Sequence, residues 1–317
     1  MVIIYLLIFV VGCYALARSG AVLVRVLTRL SGYFKLTEYV LAFVLMTFAT
    51  TLPELLVGVT SAIKGYPVIS LSNIIGSNLV NLTFILGLVT LVAGGLKVES
   101  KIAKRDSWII FFIALLPLVL LFDKKISRGE GFLLVLLFGW YIYHILKQKD
   151  AFTHRVHHIK HDITGPEKLF RTFLYLVISI AVLVFSAWVV VESAKLIAEN
   201  LYVPISLIGL ILVAFGTSLP ELVFGMRAVI AKHEGMCLGN IIGSIVINST
   251  FILGVTAMIT PIQIETHKIV YIAGGFMLFA ILMANIFMAS KNKISIKEAL
   301  ALIFFYLIFM VVEFLVK

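Results

Sequence analysis

The sequence predicts an all-α fold: a polytopic membrane protein of ten transmembrane helices in two inverted five-helix repeats. Three observations lead there. Of 317 residues, 62% are hydrophobic and 13% charged, with a mean hydropathy of +1.12; a soluble domain has roughly 25% charged and 45–50% apolar residues. Apolar runs of about 20 residues, enough for a helix to cross ~30 Å of hydrocarbon, recur along the whole length. Finally, residues 45–87 align with 212–254 without a gap, 167 positions apart. Alternating strands of about ten residues, the pattern of a membrane β-barrel, are not what this sequence shows.

Polar breaks place the spans near 2–30, 37–63, 68–95, 106–122 and 129–147, then 169–196, 204–231, 236–260, 268–289 and 297–316. The first begins "MVIIYLLIFVVG" without a basic n-region or a small-residue cleavage site, so it reads as a retained helix. The second holds "FATTLPEL" at 48–55 and the third "NIIGSNLVN" at 73–81. A short basic linker, 148–168, separates a first unit, 1–147, from a second, 169–317. The seventh span then holds "FGTSLPEL" at 215–222, and the eighth "NIIGSIVIN" at 240–248. Five spans per unit make the second unit enter the membrane upside-down relative to the first, the plan of many secondary transporters with a midplane site at the repeat interface.

Orientation follows from Lys and Arg. Lys64, Lys124, Lys125, Arg128, Lys268 and Lys317 fall in one set of loops, whereas 16 basic residues, many of them in or beside the linker, fall in the other. The positive-inside rule puts the richer set in the cytoplasm and both termini outside. A formal charge of +10 therefore reads as loop asymmetry, not as a nucleic-acid footprint. Cys13 and Cys237, far apart in apolar segments, form no metal or redox spacing.

The repeated motifs hold the chemistry. In the second span Thr47, Thr50, Thr51 and Glu54 fall at i, i+3, i+4 and i+7, one face of a continuous helix. Thr217, Ser218 and Glu221 repeat the pattern, with Ala214 in place of Thr47. Pro53 and Pro220 lack an N–H, so the carbonyls of Ala49 and Gly216 lose their helix donors. Ser77 with Asn81, and Ser244 with Asn248, add polar groups at i and i+4 in the next spans. Carboxylates, hydroxyls, amides and carbonyls are the ligand set of hard cations such as Ca²⁺ and Na⁺, and no His or Cys beside the motifs points to zinc or copper. Two carboxylates are neutralised by one Ca²⁺, two Na⁺ or two protons, so one cavity can accept these in turn. Prolines and hydroxyls alone would be equally explained as kinking and knitting a bundle; a matched pair of mid-span glutamates is not.

Other features take plainer readings. The glycosylation sequons "NLT" (81–83) and "NST" (248–250) lie inside spans and are discounted. The "HRVHHIKH" run with His154, His157, His158 and His161 reads as a solvated basic loop. Arg227 is expected to snorkel, Glu192, Lys195 and Glu199 to be interfacial or paired, and Arg18 to find an ion-pair partner inside the bundle.

"TTLPEL…NIIGSNLVN" and "AFGTSLPEL…GNIIGSIVIN" resemble the two α-repeats of the cation/Ca²⁺ exchanger superfamily, nearest the prokaryotic Na⁺/Ca²⁺ exchanger branch. H⁺/Ca²⁺ antiporters of the superfamily typically have "GN-x-x-E" at this position. The resemblance implies ten helices, with spans 1 and 6 sliding against an eight-helix core. It implies ion binding by Thr50, Thr51, Glu54, Ser77 and Asn81 with Thr217, Ser218, Glu221, Ser244 and Asn248, joined by backbone carbonyls near Thr47 and Ala214. This chain departs from the pattern at Ala49, where Gly is usual, at Thr47, which replaces a small residue, and at Asn248, where many relatives have Asp; potassium dependence is thereby put in doubt.

The expected function is a Ca²⁺-for-Na⁺ antiporter exporting Ca²⁺ across a prokaryotic cell membrane by alternating access, as a monomer in the bilayer. It is not an enzyme, and needs no cofactor and no nucleic acid. H⁺/Ca²⁺ exchange through the same glutamates is the alternative, and a cation channel, which favours a continuous polar pore, is the reading from another class.

Overall fold

Proline and threonine set where the helices break. The computed structural model describes residues 2–33, 46–98, 107–147, 166–264, 267–289 and 293–316. Helix α1 is Val2–Tyr33, followed by α2 (Met46–Thr50) and α3 (Leu52–Ile63). Helix α4 (Pro67–Val80) runs through a π-turn, Asn81–Ile85, into α5 (Leu86–Ala93). Then come α6 (Ser107–Leu120), α7 (Arg128–Lys147) and the 36-residue α8 (Pro166–Leu201). The second broken segment is α9 (Ile205–Ile208), a π-turn at Gly209–Val213, α10 (Ala214–Thr217) and α11 (Leu219–Ile230). Helix α12 (Glu234–Ile247) passes through a π-turn, Asn248–Ile252, into α13 (Leu253–Ile259), and α14 (His267–Ala289) and α15 (Ile296–Val316) complete the chain.

Among the described residues seven helices are long and apolar enough to cross a membrane: Val2–Val22, Pro67–Ala93, Phe170–Leu201, Ile205–Ile230, Glu234–Ile259, Lys268–Ala289 and Ile296–Val316. Leu52–Ile63 is shorter, and the first part of its expected span, 37–45, lies outside the described residues. The inner and outer helices differ sharply in burial. Pro67–Ala93 and Glu234–Ile259 are each 83% buried, against 28% for Val2–Val22 and 33% for Phe170–Leu201. The two segments that carry the NIIGS motifs thus lie deepest, and the less buried α1 and α8 pack against each other.

Four two-residue strands, which the sequence did not announce, tie the two halves together. Strand β1 (Leu96–Lys97) pairs antiparallel with β4 (Lys293–Ile294), and β2 (Lys125–Ile126) with β3 (Ile262–Gln263). Each ladder buries one apolar pair, Leu96 against Ile294 and Ile126 against Ile262. The pairing lets chain leaving one helix satisfy its backbone groups near the membrane boundary.

Candidate functional site

Both PEL motifs break their helix at the same point. Thr51 (φ −85°, ψ 1°) and Ser218 (φ −80°, ψ 3°) leave helical geometry, and a new helix starts with Leu-Pro-Glu. Proline is tolerated in a first turn, where its missing N–H costs nothing. Each glutamate therefore sits in the first turn of a half-helix, at the positive end of its dipole.

The two motifs meet in the protein interior. Glu54 lies beside Thr217 and Ser218, Glu221 lies beside Thr50, and the two carboxylates are within electrostatic range of each other. Both glutamates are 1% exposed or less. Yet none of their four oxygens makes a hydrogen bond of acceptable geometry among the described residues. The threonine protons are spoken for. Thr50 Oγ1 lies 3.1 Å from both Asn240 Oδ1 and Thr47 O, and Thr217 Oγ1 lies 3.1 Å from Asn73 Oδ1 and 3.3 Å from Ala214 O. A hydroxyl has one proton, so donation to these acceptors leaves its lone pairs free for a cation.

Of the expected partners, Ser77 reaches the second motif, 3.3 Å from Thr217 Oγ1 and 3.4 Å from Ala214 O. Ser218, Ser244, both polar atoms of Asn81, and Asn248 Oδ1 are buried and unpartnered among the described residues. Thr51 Oγ1 donates to Thr47 O at 2.9 Å. The carbonyls of Thr47 and Ala214 are already well supplied with donors: Thr47 O also accepts Thr51 N at 3.0 Å, and Ala214 O accepts Ser218 N at 3.1 Å.

Thr47 and Thr50 share α2 and both reach α12, Thr47 at Gly243 and Thr50 at Asn240, whereas Glu54 lies beyond the break at Thr51. The Thr47 side chain packs on Gly243 and lines a small apolar pocket with Phe48, Phe138 and Val246. The Ala49/Gly216 asymmetry also acquires a cause. A Cβ on Gly216 would lie 2.4 Å from Cys13 Sγ, so α1 approaches the second motif where only glycine fits. Gly20 of α1 faces the rings of both Pro53 and Pro220.

Asn73 and Asn240 are the residues missing from the sequence-derived set. Each fixes a threonine of the opposite motif, and their signal was available, since both belong to the repeated "NIIGS". Arg18 corrects an expectation: it is exposed on α1, and no ion pair to it occurs among the described residues. Glu192 pairs with Lys64 at 2.5 Å, and Lys195 approaches Glu199 at 3.9 Å. Arg227 is exposed. Asn81 and Asn248 of the sequons are fully buried. The four histidines of the linker lie outside the described residues. Among the described residues no cluster of three His, Cys, Asp or Glu side chains occurs, so the site has two carboxylates supplemented by neutral oxygens.

An intramembrane carboxylate pair on broken helices defines a class, the ion-handling membrane proteins. The sodium/calcium exchanger protein family model matches residues 4–147 and 171–315. The chain belongs to that family, whose members are membrane antiporters and not enzymes. It is 28% identical over 350 residues to the sodium/calcium exchanger MaX1 of Methanosarcina acetivorans, covering 99% of both chains. It is 26% identical over 271 residues to the inner membrane protein YrbG of Escherichia coli, covering 81% of this chain and 80% of that one. A solved structure of the sodium-calcium exchanger NCX_Mj, soaked with 2.5 mM Na⁺ and 0.1 mM Ca²⁺, superposes with a TM-score of 0.66 at 26% identity over 97% of this chain and 98% of that one.

Proposed function

We propose that this protein exports Ca²⁺ in exchange for Na⁺ by alternating access, with both ions using one site between two inverted five-helix repeats. The observation that bears most on this is the set of four buried carboxylate oxygens, unpartnered among the described residues and contributed equally by the two motifs. In this reading Glu54 and Glu221 are shared electrostatic anchors. Thr50, Thr51, Ser77, Asn81, Thr217, Ser218, Ser244 and Asn248 complete the oxygen shell, and the carbonyls of Thr47 and Ala214 join when their internal donors turn away. One Ca²⁺ or two Na⁺ neutralise the pair, so one site can accept them in turn, a physical basis for exchange.

The inverted arrangement draws support from the strands. Under the 167-residue repeat β1 corresponds to β3 and β4 to β2, so the two ladders exchange places, as a pseudo-two-fold axis requires. The basic-residue asymmetry favours both termini outside and the 148–168 linker in the cytoplasm. A monomer suffices, because both carboxylates come from one chain.

The test is Ca²⁺ uptake into proteoliposomes under an imposed Na⁺, K⁺ or pH gradient. The expected result is uptake driven by outward Na⁺ and lost in Glu54→Gln and Glu221→Gln. Uptake driven only by pH reassigns the coupling ion to H⁺; uptake that ignores every gradient and persists in both variants overturns the exchanger reading.

A further inference from the structure

Asn248 and its repeat counterpart Asn81 both open a π-turn, but among the described residues Asn248 alone of the two has a side-chain hydrogen bond. Its Nδ2 donates to Asn78 Oδ1 at 3.1 Å, while its own Oδ1 has no partner among the described residues. Asn78 is committed at both ends: its Nδ2 donates to Ser249 Oγ at 3.0 Å and faces Met277 Sδ at 3.5 Å. A thioether sulfur accepts and cannot donate. Met277 therefore settles which end of Asn78 is nitrogen, which leaves oxygen toward Asn248, and that in turn draws the Asn248 nitrogen. All these residues are at most 2% exposed, so water does not scramble the relay. The first half has no equivalent. The position 167 residues after Asn78 is Ile245, and both polar atoms of Asn81 are unpartnered among the described residues.

We propose that Asn78 is a positioning residue for cation binding, locking the Asn248 amide so that its carbonyl oxygen, rather than its nitrogen, is presented to the ion. Met277 and Ser249 hold Asn78 in turn. The inference rests on the exchanger reading and on Asn248 belonging to the site. An amide turned the wrong way offers the cation two N–H groups instead of an oxygen. Only one end of Asn248 is a ligand, which is why a device to fix its flip has a use. A carboxylate needs none, because its two oxygens are equivalent.

The experiment measures gradient-driven Ca²⁺ uptake against Ca²⁺ concentration in proteoliposomes. It compares wild type, Asn78→Leu, Asn248→Asp and the double variant, with Glu54→Gln as the inactive control. Asn78→Leu is expected to raise the half-saturating Ca²⁺ about tenfold, the lower end for losing a partner that orients a metal ligand. Adding Asn248→Asp is expected to bring it back to the value of Asn248→Asp alone. An unchanged half-saturation in Asn78→Leu, or a deficit that Asn248→Asp fails to reverse, overturns the positioning role, the latter by reducing Asn78 to packing. Should Asn78→Leu not fold, Met277→Leu, a volume-conserving swap, is read in the same way. A raised half-saturation reversed by Asn248→Asp supports the relay, and an unchanged one overturns it. Failure of the wild type to take up Ca²⁺ under any gradient strikes the exchanger reading instead, so the two failures are separable.

Discussion

Glu54 and Glu221 occupy the first turns of half-helices, where the dipole favours a negative charge, yet among the described residues no well-placed donor satisfies their oxygens. Burying a charge without a partner costs several kcal/mol, so in the absence of a cation the pair strains the fold. Glu54→Gln is therefore expected to raise the thermal midpoint of ion-free protein while abolishing transport. Ca²⁺ at a hundredfold its Kd stabilises a binding protein by about 2.7 kcal/mol; wild type should show that shift in a thermal melt and Glu54→Gln should not. The glutamates, threonines and prolines were legible in the sequence because ionisable groups stand out in apolar runs. The roles of Asn73 and Asn240 were not. What assigns them is a bond to the opposite motif, 144 and 190 residues away.

Helices here are set by where backbones touch. A Cβ on Gly76 would fall 2.2 Å from Leu210 O, a backbone atom of the π-turn after α9, whereas one on Gly243 would meet only the Thr47 side chain at 2.8 Å. Overpacking costs typically 1–3 kcal/mol, more where backbone must move. Gly76→Ala is thus expected to destabilise the protein more than Gly243→Ala, and adding Thr47→Ala should relieve the second but not the first. Denaturation midpoints in detergent measure both. The connection after each PEL helix repeats as well: Gly65 has φ 81° and its counterpart Lys232 φ 61°. A left-handed conformation costs a residue with a Cβ roughly 1–2 kcal/mol. Lys232→Gly is expected to stabilise by about 1 kcal/mol with transport unchanged. The π-turns likewise answer a local rule. Thr83 and Thr250, the third residues of the sequons, each bond back to a carbonyl four residues earlier at 2.5 Å. Those threonines serve the turn from inside the protein, and the sequon asparagines that would carry a glycan, Asn81 and Asn248, are fully buried.

At the scale of the molecule, positions 167 residues apart differ in how they are fastened. Lys64 pairs with Glu192 and lies 4.2 Å from the Trp188 ring, joining the end of α3 to α8. At the corresponding places of the repeat stand Ala231, Arg25 and Ala21, which cannot make that contact. The strand ladders give the inverted arrangement a direct test. With single cysteines introduced by Lys97→Cys or Lys125→Cys, a membrane-impermeant thiol reagent should label the two variants from opposite sides. Labelling from the same side would contradict inversion. Cys13 and Cys237 are free and buried, so background labelling should be low.

By itself the sequence determined the class of protein, the repeat and the carboxylate pair. Each of these is written in composition and spacing, which the bilayer reads one segment at a time: apolar length, odd polar residue, proline. Only the tertiary structure decided that Thr47 turns to an apolar pocket, that Cys13 demands glycine at 216, and that Asn78 holds Asn248 while no described residue holds Asn81. Those outcomes depend on which atoms of distant helices come within 3–4 Å, and a periodic pattern along one helix does not contain that distance.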